Sequence, residues 1–237
     1  MATETQAHPL ADGSQVIISR NGNHQYWIGD DTSKMRSVTT MLKHIESSDS
    51  FGVGLNWGLK VVRENNGDLD APKRMNRESA DVGNALHEAV DAFIQHGTIT
   101  EDNSVFLAWF QQGQNIEWVA SERFLYHPKM AFGGTVDALS KESDGSIAIH
   151  DWKTVAVESW NKYEDSLRRN KDWAQVSAYA DAIQAMNSLW TPITKGYITY
   201  IMRDGSGTAV VEVDLERGSK LFNASRELFI LTEGGKQ

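Results

Sequence analysis

Two consecutive strand-like runs, FGGTVDALS and SIAIHDWKT, each carry one aspartate. Because side chains alternate along a strand, Asp151 and Lys153 share one face, whereas His150 and Trp152 share the other. On the second run, the face that carries Asp151 and Lys153 begins with isoleucines and ends with charged residues. This strand therefore runs from a core into a polar cleft. If Asp137 of the first run joins them, two carboxylates and an amine indicate metal-assisted hydrolysis of phosphodiesters.

The turn between the two runs decides whether the carboxylates meet. A two-residue Asp144-Gly145 loop would set Asp137 opposite Trp152. Asp151 would then lie on the wrong face. A three-residue loop with Gly145 left-handed in a bulge sets Asp137 opposite Asp151, and we predict this hairpin. The alternative is an ordinary hairpin whose Asp and Lys side chains form a solvated ion pair.

The composition limits the chemistry that such a cleft can use. A chain of 237 residues suits one elaborated domain. It contains no cysteine, which excludes disulfides, thiolate zinc sites and iron–sulfur clusters, so any metal is held by oxygen and imidazole. No run is long enough to span a membrane, and the first residues lack a secretion signal, so we expect a cytoplasmic protein.

The charge balance limits how the chain meets nucleic acid. A net charge of −9 argues against a protein that coats nucleic acid, but an enzyme needs only a local basic track. Each candidate piece of a track is equally well explained as solvated surface charge. These pieces are Lys34 with Arg36, Lys73 and Arg74 with Arg77, and the run Arg168, Arg169, Asn170, Lys171.

Two amphipathic helices are predicted from apolar residues at helical spacing, over 78–96 and 171–187. His87 lies at the edge of the first apolar stripe, and Gly83 one turn earlier leaves room beside the imidazole. In the second helix, Gln175 and Tyr179 lie one turn apart on one face. A core-edge histidine and a structural Gln–Tyr pair are the alternatives for these residues.

The remaining segments predict a mixed α/β fold. The run IEWVASERFLYH precedes the hairpin as the first strand of a three-strand meander, and its Glu122 either approaches the site or pairs with a lysine. Residues 15–30 predict a tight hairpin around Asn21-Gly22. Ser37 and Thr39 open a capped helix whose hydroxyls and N–H groups either cap it or hold a phosphate. The tail predicts two strands and a closing helix over 215–231.

Taken in order, these motifs resemble the PD-(D/E)xK nuclease superfamily, in its RecB-like exonuclease branch. The matching pieces are Gly83-x-x-x-His87, Gly134-x-x-Asp137, Asp151-Trp152-Lys153-Thr154 and Gln175-x-x-x-Tyr179. The resemblance covers about residues 78–202. It implies a restriction-endonuclease-like core, in which a central mixed, twisted sheet is flanked by helices. Residues 1–77 would then be an N-terminal embellishment, and 203–237 would complete the same domain.

The resemblance also implies the chemistry of the site. Asp137 and Asp151 would bind Mg²⁺ or Mn²⁺, with His87 and the carbonyl of Trp152 as further ligands. Lys153 would position and activate the attacking water. The remaining implied site residues are Gln175 and Tyr179, which would line the site, and Glu122, whose match is looser.

The chain departs from parts of this family. It lacks the cysteines that hold an iron–sulfur cluster in several relatives, and it contains no Gly-rich loop ending in Gly-Lys-Ser/Thr of a helicase motor. The resemblance therefore implies a stand-alone, phage-type exonuclease that acts on linear DNA ends, alone or with a recombination partner or as a homo-oligomer. An inactive DNA-binding or assembly subunit and an unrelated α/β protein are the alternatives.

Overall fold

A computed structural model of the protein describes residues 3–31, 33–43, 45, 53–113, 115–163 and 168–233. The strands are β1 (Thr3–Pro9), β2 (Gln15–Asn21), β3 (Tyr26–Ile28), β4 (Arg36–Ser37), β5 (Glu117–His127), β6 (Phe132–Lys141), β7 (Ile147–Val155), β8 (Ile193–Met202) and β9 (Thr208–Glu212). The helices are α1 (Val38–Met41), α2 (Val53–Glu64), α3 (Ala71–His96), α4 (Ser104–Gly113), α5 (Val157–Tyr163), α6 (Arg168–Ala185) and α7 (Leu215–Thr232).

The central sheet is mixed and has helices on its faces, as the sequence predicts. Strands β5, β6 and β7 form the expected antiparallel meander, and β8 pairs parallel with β7. Strand β9 closes one side antiparallel to β8, and the two-residue β4 pairs parallel with the start of β6. The parallel β7–β8 pair is joined through α5 and α6, because parallel neighbours need a crossover connection.

The bulged β6–β7 hairpin is confirmed. The strands pair from Ala138 with His150 to Lys141 with Ile147, a register that sets Asp137 opposite Asp151 when continued by one residue. Gly145 adopts φ +84 in the loop, the left-handed conformation that glycine accepts without strain. Beyond Ala138 the two strands separate, because the start of β6 pairs with β4 instead. The sheet therefore forks where the two acidic residues lie.

The two faces of β7 contribute to different clusters. Ile149 lies in the main core, which packs under α6 and α7. On the opposite face, Trp152 packs edge-on against Trp109 and Trp118, in a second cluster under α3 and α4. The alternation predicted for this strand is confirmed, and it leaves Asp151 and Lys153 on the face toward α6.

The structure corrects two expectations for the first hundred residues. The segment 15–30 is a hairpin, but its loop runs over residues 22–25, because the Asn21 side chain accepts hydrogen bonds from the N–H groups of Asn23 and Gln25. Strand β1 adds a third strand that the polar run TETQAHP does not predict. Helix α3 begins at Ala71 rather than at residue 78, with a proline in its first turn, where no N–H donor is required.

Within the described residues, none of the helices combines the length and the apolar character needed to cross a bilayer.

Candidate active site

The fork in the sheet brings Asp137, Asp151 and Lys153 together. The N–H of Trp152 donates to Oδ2 of Asp137 at 2.7 Å, which ties the two strands together where their backbone pairing has ended. The Lys153 ammonium donates to Oδ1 of Asp151 at 3.0 Å and lies 2.7 Å from Oδ2. Asp151 is 1 % exposed, so this charge pair is removed from bulk water.

A second group of ligand atoms adjoins the first. Nδ1 of His87, from α3, lies 3.1 Å from Oε1 of Glu122 and 3.7 Å from Oδ1 of Asp137. One ligand atom from each of these three residues lies within 4.8 Å of the other two. Of the two roles expected for Glu122, the structure shows the approach to the site.

Glu122 reaches this position through an unusual backbone. Its φ is +46, a left-handed conformation that side chains other than those of Gly, Asn and Asp rarely adopt. A register shift between Trp118 and Ala120 precedes it on the same strand. Strain of this kind is held only where the surroundings fix it, and it occurs often at functional sites. No pattern in the sequence indicates it.

Helix α6 orients Lys153 from the other side. The ammonium donates to Oε1 of Gln175 at 3.3 Å, and Nε2 of Gln175 donates to the Tyr179 hydroxyl at 3.1 Å. A glycine is needed opposite, because a Cβ at Gly134 would overlap the Tyr179 ring. Gly134 and Tyr179, which belong to two separate sequence motifs, therefore form one packing contact.

Burial and mutual repulsion set the charges of the site. Burial raises the pKa of Asp151 to about 6, although Lys153 opposes the shift. The pKa of Asp137 is raised for the same reason, against His87 and Lys153. Burial alone would lower the pKa of His87, but Asp137 and Glu122 raise it to about 9. The raised pKa values mean that the charged carboxylates are destabilised, so a cation bound beside them is favourable.

Lys153 is a cation in this arrangement. Burial lowers its pKa, but Asp151, Asp172 and Asp137 more than offset this effect and raise it. Asp172, which was not predicted, is therefore part of the electrostatics of the site, and its Oδ2 also accepts from the Tyr200 hydroxyl at 2.7 Å. Asp172 lies three residues before Gln175 on α6, so the helical spacing of that motif could have indicated it as a site residue.

The residues fit a divalent cation. Oδ2 of Asp151 is buried, and apart from the Lys153 ammonium 2.7 Å away it has no partner among the described residues, which leaves a lone pair for a cation. His87, Glu122 and Asp137 add imidazole and carboxylate donors nearby. An oxygen-rich donor set with one imidazole suits Mg²⁺ or Mn²⁺ better than a metal that prefers sulfur. The role of the Trp152 carbonyl as a ligand stays a prediction.

The residues predicted to contact nucleic acid are placed differently. The Ser37 hydroxyl caps the short helix α1 by accepting from the N–H of Thr40, and it also lies 3.0 Å from the Thr39 hydroxyl. Both hydroxyls thus have partners within the helix start. Lys171 lies in the first turn of α6, which begins at Arg168. The side chains of Arg168 and Arg169 lie outside the described part of the structure.

Comparison with known proteins agrees with this geometry. The model of the PD-(D/E)XK nuclease superfamily matches residues 103–227, more than half of the chain. The chain belongs to the PD-(D/E)XK nuclease superfamily. Nucleases of this superfamily depend on divalent metal ions, which agrees with the donor set above. The predicted restriction-endonuclease-like fold class is confirmed. The match begins after α3, so His87 lies outside it.

Other comparisons are less informative. Among solved structures, the chain is similar to one titled "Crystal structure of SSO0001", with 15% sequence identity and a TM-score of 0.40. The alignment covers 84% of this chain and 79% of that one. A likeness at this TM-score does not define the fold by itself. A search of curated proteins gives no match.

Proposed function

We propose that this superfamily member is a metal-dependent deoxyribonuclease, and specifically an exonuclease that hydrolyses phosphodiester bonds at the ends of linear DNA. The observation that carries the proposal is the forked β6–β7 hairpin, which joins Asp137, Asp151 and Lys153 beside His87 and Glu122. An inactive relative has no need to keep the buried Asp151 together with the partly buried Asp137 and Lys153, because such groups are costly to desolvate.

The chain's own groups divide the work of hydrolysis. Asp137 and Asp151 provide carboxylate oxygens for the cation, with His87 and Glu122 beside them. When bound, Mg²⁺ or Mn²⁺ supplies Lewis-acid stabilisation of the charge that develops on the phosphate. Lys153 holds its ammonium at the same point, so it orients a water molecule or a phosphate oxygen and stabilises negative charge there.

Gln175 and Tyr179 act through Lys153. The amide oxygen of Gln175 accepts from the ammonium, and its N–H group is fixed by the tyrosine hydroxyl. A lysine side chain has four rotatable bonds, so this contact reduces the freedom that the ammonium would otherwise have. These two residues therefore position the lysine rather than react.

The finer assignment rests on the order of the motifs. We place the chain in the RecB-like exonuclease branch, as an enzyme of phage type that serves viral DNA recombination, repair or degradation in the host cytoplasm. The absence of cysteine from the sequence supports this over the iron–sulfur members. A recombination partner or a homo-oligomer belongs to the same proposal.

Digestion of end-labelled DNA tests the activity directly. Linear DNA and covalently closed circular DNA are incubated with the protein and Mg²⁺, Mn²⁺ or EDTA. We expect shortening of the linear DNA only, no reaction in EDTA, and loss of the reaction in Asp137→Asn and Asp151→Asn. The matched control is Asp30→Asn, which removes an exposed carboxylate from the turn after β3 and is expected to leave the reaction unchanged.

The other outcomes distinguish the alternatives. Cleavage of circular DNA at the same rate would show an endonuclease and contradict the exonuclease assignment. Binding of DNA without cleavage in either metal would favour the inactive DNA-binding subunit. Equal loss in Asp30→Asn and Asp151→Asn would show that the forked hairpin is not the reacting site.

A further inference from the structure

After the buried Ala71 at its start, the first half of α3 faces solvent along most of its length. No side chain between residues 72 and 85 is buried, whereas Leu86, Ala89 and Val90 pack into the cluster under the sheet. His87, at the metal-ligand group, lies where the helix meets the sheet. It lies fourteen positions after Lys73, so the exposed half reaches about 21 Å from the site.

One face of this exposed half carries cations and an amide but no acid. At 100° per residue, Lys73, Arg77, Asn84 and His87 fall within about 80° of one another around the axis. The acids of the segment, Glu78 and Asp81, fall outside that sector. The face therefore forms a line of donors that ends at the metal-ligand histidine, and we call these four residues the α3 track.

The cations of the α3 track are available to a ligand. Across a chain with a net charge of −9, many lysines are already paired with acids, among them Lys60, Lys141, Lys195 and Lys220. Lys73 and Arg77 are exposed and have no ion-pair partner among the described residues. Arg74, next to Lys73, points to another side of the helix and is paired with Asp68 at 2.6 Å.

We propose that the α3 track binds the sugar–phosphate backbone of one DNA strand and leads it to the fork. Two cations one turn apart neutralise phosphates, and the Asn84 amide donates to a phosphate or sugar oxygen nearer the site. Contacts to phosphate and sugar oxygens read no base edge, so binding by this track is independent of sequence. The inference rests on the proposed function, because it extends the substrate path of the same site.

The spacing of the track sets a length for the bound strand. A strand of B-form DNA advances 3.4 Å per phosphate, so about 21 Å corresponds to roughly six phosphates. DNA that ends closer than this to the reacting phosphate cannot contact Lys73. We therefore expect affinity to rise with oligonucleotide length up to about six nucleotides and then to level off.

The salt dependence of DNA affinity tests the track. Binding of a fluorescein-labelled blunt duplex is measured in EDTA, where cleavage cannot interfere, over a series of NaCl concentrations. The Lys73→Gln/Arg77→Gln variant should raise Kd roughly tenfold and reduce the slope of log K against log salt by about 1.8, the value for two lost phosphate contacts. Arg74→Gln removes one charge from the same helix and should keep the wild-type slope.

Each result bears on one proposal separately. Equal slopes for the double variant and Arg74→Gln, or no binding of DNA by the wild type, would overturn the track. If the track variants lose affinity as expected but the wild type cleaves no DNA, the track stands and the exonuclease assignment fails. Glutamine is a good helix former at these exposed positions, and circular dichroism checks that α3 persists in each variant.

Discussion

Lys153 carries a charge that its neighbours hold in one orientation. Replacing it with methionine keeps most of the apolar stem but removes the ammonium between Asp151 and Gln175. Because a buried donor aimed at developing charge is worth about two to three orders of magnitude, we expect kcat to fall at least 100-fold, with KM changed less. Steady-state cleavage of linear DNA measures both constants.

The control for this prediction is another lysine of the same sheet. Lys195 on β8 pairs with Glu142 at a partly exposed position away from the fork. Lys195→Met should keep the wild-type kcat. If Lys153→Met retained kcat while folding normally, the ammonium would have no role in the chemical step.

At the residue scale, the sequence predicted the groups on regular elements and left open the role of Glu122, which irregular backbone positions. Asp151, Lys153 and Gln175 follow from the periods of a strand and a helix. The position of Glu122 depends on a positive φ, which a glutamate in the sequence does not indicate. His87 was predicted from its helix edge, but its contact with Glu122 joins residues 35 positions apart and needs the folded chain.

Elements in this fold approach each other where glycines permit it. Gly134 on β6 lies under the Tyr179 ring of α6, so Gly134→Ala forces either the ring or the helix to move. We expect a loss of about 1–3 kcal/mol in the free energy of unfolding, as for other overpacked cores, together with a lower kcat. Urea unfolding and the cleavage assay measure the two effects.

Gly83 provides the matched control within a helix. A Cβ there would meet Thr154 Oγ1 at 3.6 Å, an ordinary contact, so the glycine is not required by crowding. Gly83→Ala should stabilise α3 by about 0.5–1 kcal/mol, because alanine restricts the unfolded chain more and favours the helix. A destabilisation equal to that of Gly134→Ala would show that this site needs the empty space that the sequence suggested beside His87.

The β6–β7 loop is the element whose geometry the sequence predicted most fully. Gly145 has φ +84, and no atom lies within 4 Å of the position that a Cβ would occupy, so the cost of Gly145→Ala is a backbone cost of about 1–2 kcal/mol. Gly145→Asn should cost less, because asparagine tolerates the left-handed region. Both variants should keep activity, since the apolar faces of the strands also fix the register. Thermal unfolding ranks them; loss of activity in a folded variant would contradict this view.

At the scale of the whole molecule, the meander, the parallel β7–β8 pair and both flanking helices were predictable because each has a strong period. The N-terminal sheet was only half predicted, since β1 is polar and is held by distant partners. Its Gln6 side chain accepts from the N–H of Phe124 and donates to the carbonyl of Glu122. Contacts over more than 100 residues leave no local pattern, so neither β1 nor its link to the site strand was visible in the sequence.

The same N-terminal strand makes the stability of the molecule depend on pH. His8 on β1 is 1 % exposed, with Nδ1 at 3.0 Å from the carbonyl of Phe124 and Nε2 at 2.9 Å from the Ser188 hydroxyl. A neutral ring satisfies both contacts by donating from Nδ1 and accepting at Nε2. Burial lowers the pKa of His8 to about 4, although the Phe124 carbonyl favours the charged ring.

The sign of the effect follows from proton binding. Between about pH 6.5 and 4 the unfolded chain binds a proton at this histidine that the folded protein does not, so the free energy of unfolding falls as the pH falls through that window. In His8→Gln this contribution is absent, and the loss between pH 7 and pH 4 should be smaller by about 3 kcal/mol. Urea unfolding of both proteins at each pH measures it, and comparing the two losses cancels the other titrating groups. Equal losses would show that the His8 ring is protonated within the fold, and that β1 is not held to β5 by a neutral imidazole.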